Sequence, residues 1–389
     1  MISTLLAYTS LAWLQPSYAV QGPGKSAQGQ SQKTKEQEKF DKEIADDKKQ
    51  GKEAADYYDK NLKATKDTAA QQRVEEIGAK LALIANANSF DLSWGDKRHS
   101  EFEYRFKVVE SKDINAFSLP GGYIYVYQGL IDFVQSDDEL SGVLAHEISH
   151  AGQRHVAWMR REQEKMLPIQ IPLILASIFS KSPEGIVGSQ LYGTAMTNGW
   201  SVKAETSADY GGVQLVVAAG YDATGMLTFM ERLQAKEGQL DGIDLGILRT
   251  HPPSKVRADK IEGWMNKNLI PIHRSLVSAD FRVNIKLSDK GVNVLYFGKR
   301  KLFAVAGGDD RANTTLKTLN AFFDRVPEMY DVTTGEDGVI YAKNRTLVTI
   351  TAEDAKANSM DIEQLQNSLA KSIRSSLFTL AYRIWEGRN

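Results

Sequence analysis

The sequence predicts an α+β fold in two parts: a mainly helical domain with a small sheet, followed by a separate small α+β domain. Phe102–Val109 and Tyr123–Tyr127 are rich in aromatic and β-branched residues, which is typical of strands, and long helical patterns surround them. After residue 275, short strand patterns and helical patterns follow one another over roughly 110 residues, an ordinary size for one domain. The chain is therefore expected to fold a small sheet among helices and a second unit behind it.

Four segments before residue 270 have the pattern of helices: Glu38–Leu83, Ser136–Met159, Trp200–Ala219 and Ser254–Asn266. The second begins with Ser136, and a glutamate follows three residues later, which is the spacing of a capping box. The third is followed by Gly220, and glycine is the residue that most often ends a helix. Start and stop signals thus support helices in the middle of the chain.

The second domain is predicted from a run of shorter patterns. Its strands are expected at Phe281–Leu287, Val292–Phe297, Leu302–Ala306, Gly338–Ala342 and Leu347–Thr351, and its helices at Thr314–Val326 and Asp361–Trp385. No cluster of catalytic residue types occurs in residues 276–389. Residues 292–376 resemble a small periplasmic module of bacterial membrane-associated proteins, which implies an interaction module; an unrelated α+β domain is the alternative.

The N-terminal residues differ in composition from the rest of the chain. Residues 1–19 carry no charge and end in Ser17-Tyr18-Ala19, the small-x-small pattern of a signal-peptide cleavage site. An apolar N-terminus without a targeting role is the alternative, because the usual basic region is missing. Residues 20–40 have the composition of a flexible linker. The predicted folded domains then cover residues 41–270 and 276–389.

Charge and cysteine usage exclude several classes of function. The formal net charge is -1, so there is no electrostatic basis for binding nucleic acid. The chain has no cysteine, which excludes disulfides, thiolate metal ligands and cysteine catalysis. Any metal ion must therefore be held by histidine and carboxylate side chains.

The sequence His146-Glu147-Ile148-Ser149-His150 carries the strongest chemical signal. Residues four apart lie on one face of a helix, so His146 and His150 can bind one zinc ion. Glu147 lies beside them, where it can act as the general base toward a water molecule that the metal activates. The alternative is a pair of ordinary histidines on a helix. The motif lies in a helix with a clear start and an apolar stripe, which favours the metal site.

A catalytic zinc ion needs a third protein ligand and an open position. Glu205 and Asp209 stand four residues apart on a predicted helix, among small residues that would let this helix approach another one closely. Glu205 could bind the metal while Asp209 hydrogen-bonds a ligand imidazole. From their spacing alone, an ordinary exposed pair of acidic side chains is the favoured interpretation.

An ordered series of segments resembles one family of zinc metallopeptidases, the family that includes HtpX and the CAAX prenyl-protein endopeptidases. The segments are Asn115-Ala116-Phe117-Ser118-Leu119-Pro120-Gly121-Gly122, His146–His150 with Gln153-Arg154-His155, Glu205 with Asp209, Gly220-Tyr221-Asp222, and Thr250-His251-Pro252-Pro253 with Arg257. They are most similar to the soluble periplasmic, BepA-like branch, and the resemblance covers about residues 40–268. It implies a zincin-like fold of the gluzincin type, one Zn²⁺ per chain and Glu205 as the third ligand. Val202 departs from it where the family commonly has arginine, and Ser149 where glycine is frequent.

The resemblance also implies two further groups of site residues. Asn115, Ala116, Phe117 and Ser118 would form an edge strand beside the metal, to which a peptide substrate adds as another strand; a plain sheet edge is the alternative. His251 and Arg257 are candidates to stabilise the oxyanion of the reaction. His251 could instead cap the metal in a resting state, and Arg257 could belong to a buried ion pair. No role is predicted for His155.

These observations together predict a zinc-dependent endopeptidase that is exported to the periplasm or another extracytoplasmic compartment. Its expected partners are protein or peptide substrates, with an association with the membrane or with envelope proteins. One alternative is a catalytically quiet chaperone or adaptor of the same fold, against which the intact Glu147 argues. Another is a zinc amidase that acts on peptidoglycan. The sequence gives no indication of the oligomeric state.

Overall fold

The computed structural model describes residues 34–90, 93–164, 200–237 and 254–382. By their contacts the residues divide into a unit of residues 1–42, described from residue 34, and a unit of residues 43–389, which carries all the contacts discussed below. Among the described helices, none is long and apolar enough to cross a membrane. The predicted signal peptide, residues 1–19, and most of the predicted linker lie outside the described residues.

The first part of the chain is mainly helical. Its described elements are α1 Lys35–Asn61, α2 Thr68–Ala87, β1 Arg105–Val109, β2 Ala116–Leu119, β3 Tyr123–Tyr127, α3 Gln128–Phe133, α4 Asp137–Gly152, α5 His155–Glu164, α6 Trp200–Ala218, α7 Thr224–Glu237, α8 Ser254–Lys267 and α9 Arg274–Val277. The strands form one sheet in the order β1-β3-β2, in which β1 runs parallel and β2 antiparallel to β3. Among the described strands, β2 thus lies at the edge of the sheet, the position that the family resemblance implies for residues 115–118.

Helix α4 lies at the centre of this part. Its residues from Glu139 to Ala151 are all buried, and it packs against α2, α6, α7 and β2. The Ser136 hydroxyl caps it by accepting a hydrogen bond from the N–H of Glu139. The carboxylate of Glu139 does not complete the predicted capping box, because it accepts from the N–H of Gln135 and pairs with Arg232.

Two predicted helices are each divided in the structure. Ser136–Met159 was predicted as one helix, but α4 ends at Gly152 and α5 begins at His155. The helix is interrupted because Arg154 between them has a left-handed backbone with φ 57°. The charged segment Glu38–Leu83 is divided between α1 and α2, and the carboxylate of Asp67 caps the second helix through the N–H of Ala70. Helix α7 was not predicted.

The second part of the chain has a hydrophobic core of its own. Its described elements are β4 Val283–Leu287, β5 Asn293–Phe297, β6 Arg300–Val305, α10 Gly308–Phe323, β7 Val332–Thr334, β8 Val339–Ala342, β9 Arg345–Thr349, α11 Ala352–Ala357 and α12 Ile362–Tyr382. The strands form two three-stranded antiparallel sheets, β4-β5-β6 and β7-β8-β9. The predicted α+β class, with a helical first domain and a separate C-terminal domain, is confirmed.

A short segment contacts both parts. Arg274 of α9 pairs with Glu231 of α7, and the hydroxyl of Ser278 donates to the side chain of Gln135. On the other side, the hydroxyl of Ser275 donates to Asp324, which follows α10. The domain boundary predicted between residues 270 and 276 falls at the start of this connecting segment.

Candidate metal centre

Three buried side chains from two helices meet at one point: His146 and His150 of α4 and Glu205 of α6. The Nε2 atoms of the two histidines are 3.0 Å apart. They lie 3.4 Å from Oε2 and 3.3 Å from Oε1 of Glu205, respectively. Four ligands arranged tetrahedrally around zinc at 2.0–2.1 Å are about 3.3–3.4 Å from one another. The three groups therefore fit Zn²⁺, and such a site keeps its fourth position for water or substrate.

Helix α6 lies close to α4, so the carboxylate of Glu205 can reach the two histidines. Gly211 of α6 lies where a Cβ atom would be 2.5 Å from Nε2 of Gln153 and 2.9 Å from Oγ of Ser149. Ala204 and Ala208 are also buried on α6. The small residues noted in the sequence thus permit the contact between the helices, and Gly211 leaves the room that Ser149 needs.

Asp209 lies one turn beyond Glu205 and holds the first histidine. Its Oδ1 is 3.0 Å from Nδ1 of His146, so the ring is fixed with Nε2 toward the other ligands. Burial and the nearby Arg257 lower the pKa of His146, but hydrogen bonds with Asp209 and Glu205 outweigh them and raise it to about 9. Burial raises the pKa of Asp209, whereas Arg257 and His146 lower it to about 2. Asp209 is therefore an anionic acceptor for this ring.

Arg257 of α8 reaches the same cluster from the other side. Its Nη2 lies 2.6 Å from Oδ1 of Asp209, and its Nη1 lies 3.1 Å from Oε2 of Glu205. The residue is 6% exposed. Two carboxylates thus engage the guanidinium, which is the buried ion pair that the sequence left open as the alternative to an oxyanion role.

Glu147 lies next to the first ligand and is 1% exposed. With His146 and Arg257 it lines a cavity whose other walls are apolar: Gly142, Val143, Met226, Phe229 and Met230. Its charge acts electrostatically on both His150 and Arg257. The carboxylate is thus held in an apolar environment beside the metal-binding atoms. Of the apolar walls, Met226, Phe229 and Met230 come from α7.

The predicted substrate segment lies on the sheet edge, and most of its side chains face inward. Ala116 and Phe117 are 0% and 2% exposed, and Asn115 is 5% exposed. The N–H of Tyr127 donates to the carbonyl of Asn115, so residues 115, 117 and 119 direct their backbone groups toward β3. The backbone groups of Ala116 and Ser118 then face the other way, along the edge of β2 that pairs with no other described strand. Ser118 and His150 line the same cavity.

One residue of the site was missed by the sequence analysis. Nδ1 of His155 lies 2.9 Å from Nδ1 of His150, and His155 is fully buried at 0% exposure. Burial, followed by the neighbouring His150, lowers the pKa of His155 well below its usual value. The one available signal was its place in Gln153-Arg154-His155, a segment that the family resemblance includes. His251 lies outside the described residues, as do Thr250, Pro252 and Pro253.

The site combines a helix that carries His-Glu-x-x-His with a glutamate from a neighbouring helix, and these groups are buried together at zinc-binding distances. These features define a metallopeptidase of the gluzincin type. The chain belongs to Peptidase family M48, whose model matches residues 69–265. The family predicted from the motifs is confirmed. Residues 253–379 match a second model, described as Domain of unknown function (DUF8459).

Several relatives are similar to part of the chain. The beta-barrel assembly-enhancing protease of Yersinia pestis is 26% identical over 273 residues, which cover 67% of this chain and 49% of the relative. The mitochondrial metalloendopeptidase OMA1 of Schizosaccharomyces pombe is 34% identical over 166 residues, 43% of this chain and 48% of the relative. Metalloprotease LoiP of Escherichia coli is 29% identical over 198 residues, 49% of this chain and 71% of the relative. The chain thus spans about half the length of the first two relatives.

Proposed function

We propose that the chain is a zinc-dependent endopeptidase that hydrolyses peptide bonds of envelope proteins, including misfolded ones. The observation that carries this proposal is the triangle of His146, His150 and Glu205, with separations of 3.0, 3.4 and 3.3 Å, directly beside Glu147. Export and a periplasmic location are supported by the N-terminal composition. Envelope substrates are supported by the relative in Yersinia pestis, whose name describes a protease that enhances β-barrel assembly.

The metal site, Glu147 and the apolar side chains around it contribute differently to the proposed reaction. When bound, Zn²⁺ supplies a Lewis acid that lowers the pKa of a coordinated water to about 7. An Oε atom of Glu147 accepts a proton from the attacking water and later returns it to the leaving amine nitrogen of the cut peptide bond. Because Met226, Phe229 and Met230 keep the surroundings of this carboxylate apolar, proton transfer proceeds with little competition from bulk solvent.

The substrate is proposed to bind as a strand added to β2. In this arrangement, backbone groups of Ala116 and Ser118 form hydrogen bonds with the peptide backbone, and little side-chain preference results. Asn115 and Phe117 contribute differently: they hold β2 against β3, and the ring of Phe117 stacks on Tyr125 at 5.0 Å between ring centroids. An extended, unfolded segment fits such an edge better than a folded protein does.

Arg257 and His251 complete the proposed site. For Arg257 we favour the role of an anchor for Asp209 and Glu205, because its guanidinium contacts both carboxylates. Two roles are proposed for His251, and they predict opposite results for His251→Ala. If His251 caps the metal, the substitution would raise proteolysis. If His251 is an oxyanion donor, the substitution would lower turnover on the order of 10²–10³-fold.

The decisive experiment measures cleavage of casein by the zinc-loaded full chain, with and without a chelator. Glu147→Gln should abolish cleavage and keep stoichiometric zinc, because the amide is nearly isosteric but is no base. Glu205→Ala should lose both zinc and cleavage, since one of three ligands is gone. Zinc-loaded protein that suppresses aggregation of unfolded chains without cutting them would point instead to a chaperone. Release of soluble fragments from peptidoglycan would point to an amidase.

A further inference from the structure

His155 makes a contact with a metal-binding histidine that its position in the sequence does not predict. Its Nδ1 lies 2.9 Å from Nδ1 of His150, and the two rings meet edge to face, with centroids 4.8 Å apart at an angle of 81°. In a continuous helix, a residue five positions later would point about 140° away from His150. The contact therefore depends on the break between α4 and α5.

That break is held in place by buried charges. Arg154 adopts φ 57°, which is uncommon for a residue other than glycine, and is 3% exposed. Its guanidinium donates to Asp47 of α1 and, through Nη1, to Oδ2 of Asp96 at 2.9 Å. Ionic contacts from two distant segments thus support the backbone turn that brings His155 back to the metal centre.

The ring of His155 is also held on its far side. Trp94 packs against it with ring centroids 5.3 Å apart. The backbone of Trp94 is fixed at both ends, because its N–H donates to Oγ of Ser207 and its carbonyl accepts from the same hydroxyl. At Gly95 a Cβ atom would lie 3.0 Å from Nε2 of His155, so the neighbouring loop closes around the ring. His155 has little freedom to turn away from His150.

The chemistry of a histidine ligand determines which of the two rings donates the hydrogen bond. Nε2 of His150 faces Glu205 and His146, so its lone pair is the one available to a metal ion. Nδ1 of His150 must then carry the hydrogen, and a ligand histidine nearly always donates that hydrogen to a fixed acceptor. For His146 the acceptor is Asp209. For His150 the atom in the corresponding place is Nδ1 of His155.

We propose that His155 is a positioning residue of the metal centre: its Nδ1 accepts the hydrogen bond from Nδ1–H of His150 and fixes that ring for metal binding. The two histidine ligands are then held by different partners, one by the carboxylate of Asp209 and the other by the imidazole of His155. This proposal rests on the zinc centre of the proposed function and adds a residue to which no role has been assigned.

Two substitutions separate hydrogen bonding from packing. His155→Asn keeps an acceptor near the position of Nδ1 but leaves part of the ring volume empty. His155→Phe fills the volume and has no acceptor. The zinc dissociation constant of each full-length variant is measured by competition with a chromogenic chelator, and the visible spectrum of the Co²⁺-loaded protein reports the ligand geometry. Thermal unfolding of the metal-free proteins shows that each variant is folded.

For an acceptor role, His155→Phe should weaken zinc binding about 10–100-fold and alter the Co²⁺ spectrum, whereas His155→Asn should stay close to the wild type. The opposite order, with His155→Phe unchanged and His155→Asn weakened, would assign His155 to packing and overturn the proposal, as would equal affinities in the two variants. Wild-type protein that binds zinc but cuts no peptide bond would refute the proposed activity and leave this measurement valid.

Discussion

Arg257 and Asp209 form a two-point ion pair inside the protein. Nη2 donates to Oδ1 at 2.6 Å, and Nε donates to Oδ2 at 2.9 Å. The same guanidinium contacts Glu205 at 3.1 Å. Since Asp209 holds the ring of His146 and Glu205 is itself a metal-binding group, one cation orients two of the three groups that would bind zinc.

Replacing Arg257 with lysine should therefore weaken zinc binding. An ammonium group is a point charge and cannot reproduce the planar fork that engages both oxygens of Asp209 and also Glu205. The expected loss of zinc affinity is about 10–100-fold, measured by chelator competition on protein that circular dichroism shows to be folded. An oxyanion role would give another result: a large loss of turnover at unchanged zinc affinity.

Lys260 offers a control on the same helix. Its Nζ donates to Oγ1 of Thr206 at 3.1 Å, outside the metal-binding cluster. Lys260→Met removes a cation from α8 and should leave zinc affinity as in the wild type. Equal loss in Lys260→Met and Arg257→Lys would mean that the helix, rather than the guanidinium, determines the effect.

The candidate metal-binding groups could be predicted from the sequence because they depend on local periodicity. His146 and His150 are one helical turn apart, and Glu205 and Asp209 repeat that spacing on a helix of small residues. The family resemblance then selected Glu205 over the alternative of an exposed acidic pair. The structure places the side chains of His146, His150 and Glu205 together, in agreement with the predicted histidine pair and with the selection of Glu205.

The contact of His155 and the existence of helix α7 could not be predicted in the same way. The turn at Arg154 depends on Asp47, more than 100 residues earlier in the chain, which no local pattern reveals. Helix α7 starts where the N–H of Thr224 donates to Asp222, and the N–H of Asp222 in turn donates to Asp138 of α4. Tertiary contacts therefore determine the parts of the site that sequence reasoning missed.

Arg274 is predicted to stabilise the first part of the chain from the connecting segment. It is 4% exposed, and its Nη2 lies 2.8 Å from both Glu231 and Glu262. Arg274→Ala would leave Glu231 buried without this cation, so the free energy of unfolding should fall by about 3–5 kcal/mol. Urea unfolding measures the loss, and the double variant Arg274→Ala with Glu231→Gln should recover part of it. No recovery in the double variant would show that the lost cation is not the cause.

Asp354 should make the stability of the second domain dependent on acid pH. Burial raises its pKa, but Arg311 and the N–H groups of Thr351 and Ala306 outweigh this and lower it below its ordinary value. The ionised form therefore contributes stability above pH ~4, the ordinary pKa of an aspartate, and this contribution is lost as the pH falls through the lower pKa of the folded state.

The test compares wild type with Asp354→Asn by urea unfolding at several pH values. At pH 7 the variant should be less stable by about 1–3 kcal/mol, because a charged hydrogen-bond partner of Arg311 is lost. The difference should shrink as the pH falls from ~4 through the lower pKa of the folded state, because wild-type Asp354 then loses its charge. Glu353→Gln, at the exposed neighbouring position, serves as the control. A difference that stays constant with pH would contradict the assignment.

Ser118 provides a test of substrate binding that leaves the sheet intact. Its backbone N–H faces away from β3, because the hydrogen-bonded pairs of the ladder fall on residues 115, 117 and 119. Proline has no N–H and is tolerated on an edge strand where that group faces outward. Ser118→Pro should therefore remove one backbone hydrogen bond to an added peptide strand and no bond within the sheet.

The expected effect of Ser118→Pro is a two- to tenfold drop in kcat/KM for unstructured peptides, about the value of one hydrogen bond. Ser118→Ala is the matched control, because it removes the same hydroxyl and keeps the N–H. Zinc content and the thermal unfolding midpoint should stay the same in both variants, since neither change reaches the metal-binding groups. Loss in Ser118→Pro alone would support strand addition at β2, whereas equal kcat/KM values in the two variants would place the substrate elsewhere.

A short ester substrate that makes no strand contacts serves as a second control. Its hydrolysis should be the same in Ser118→Pro and wild type, because it uses only the metal centre and Glu147.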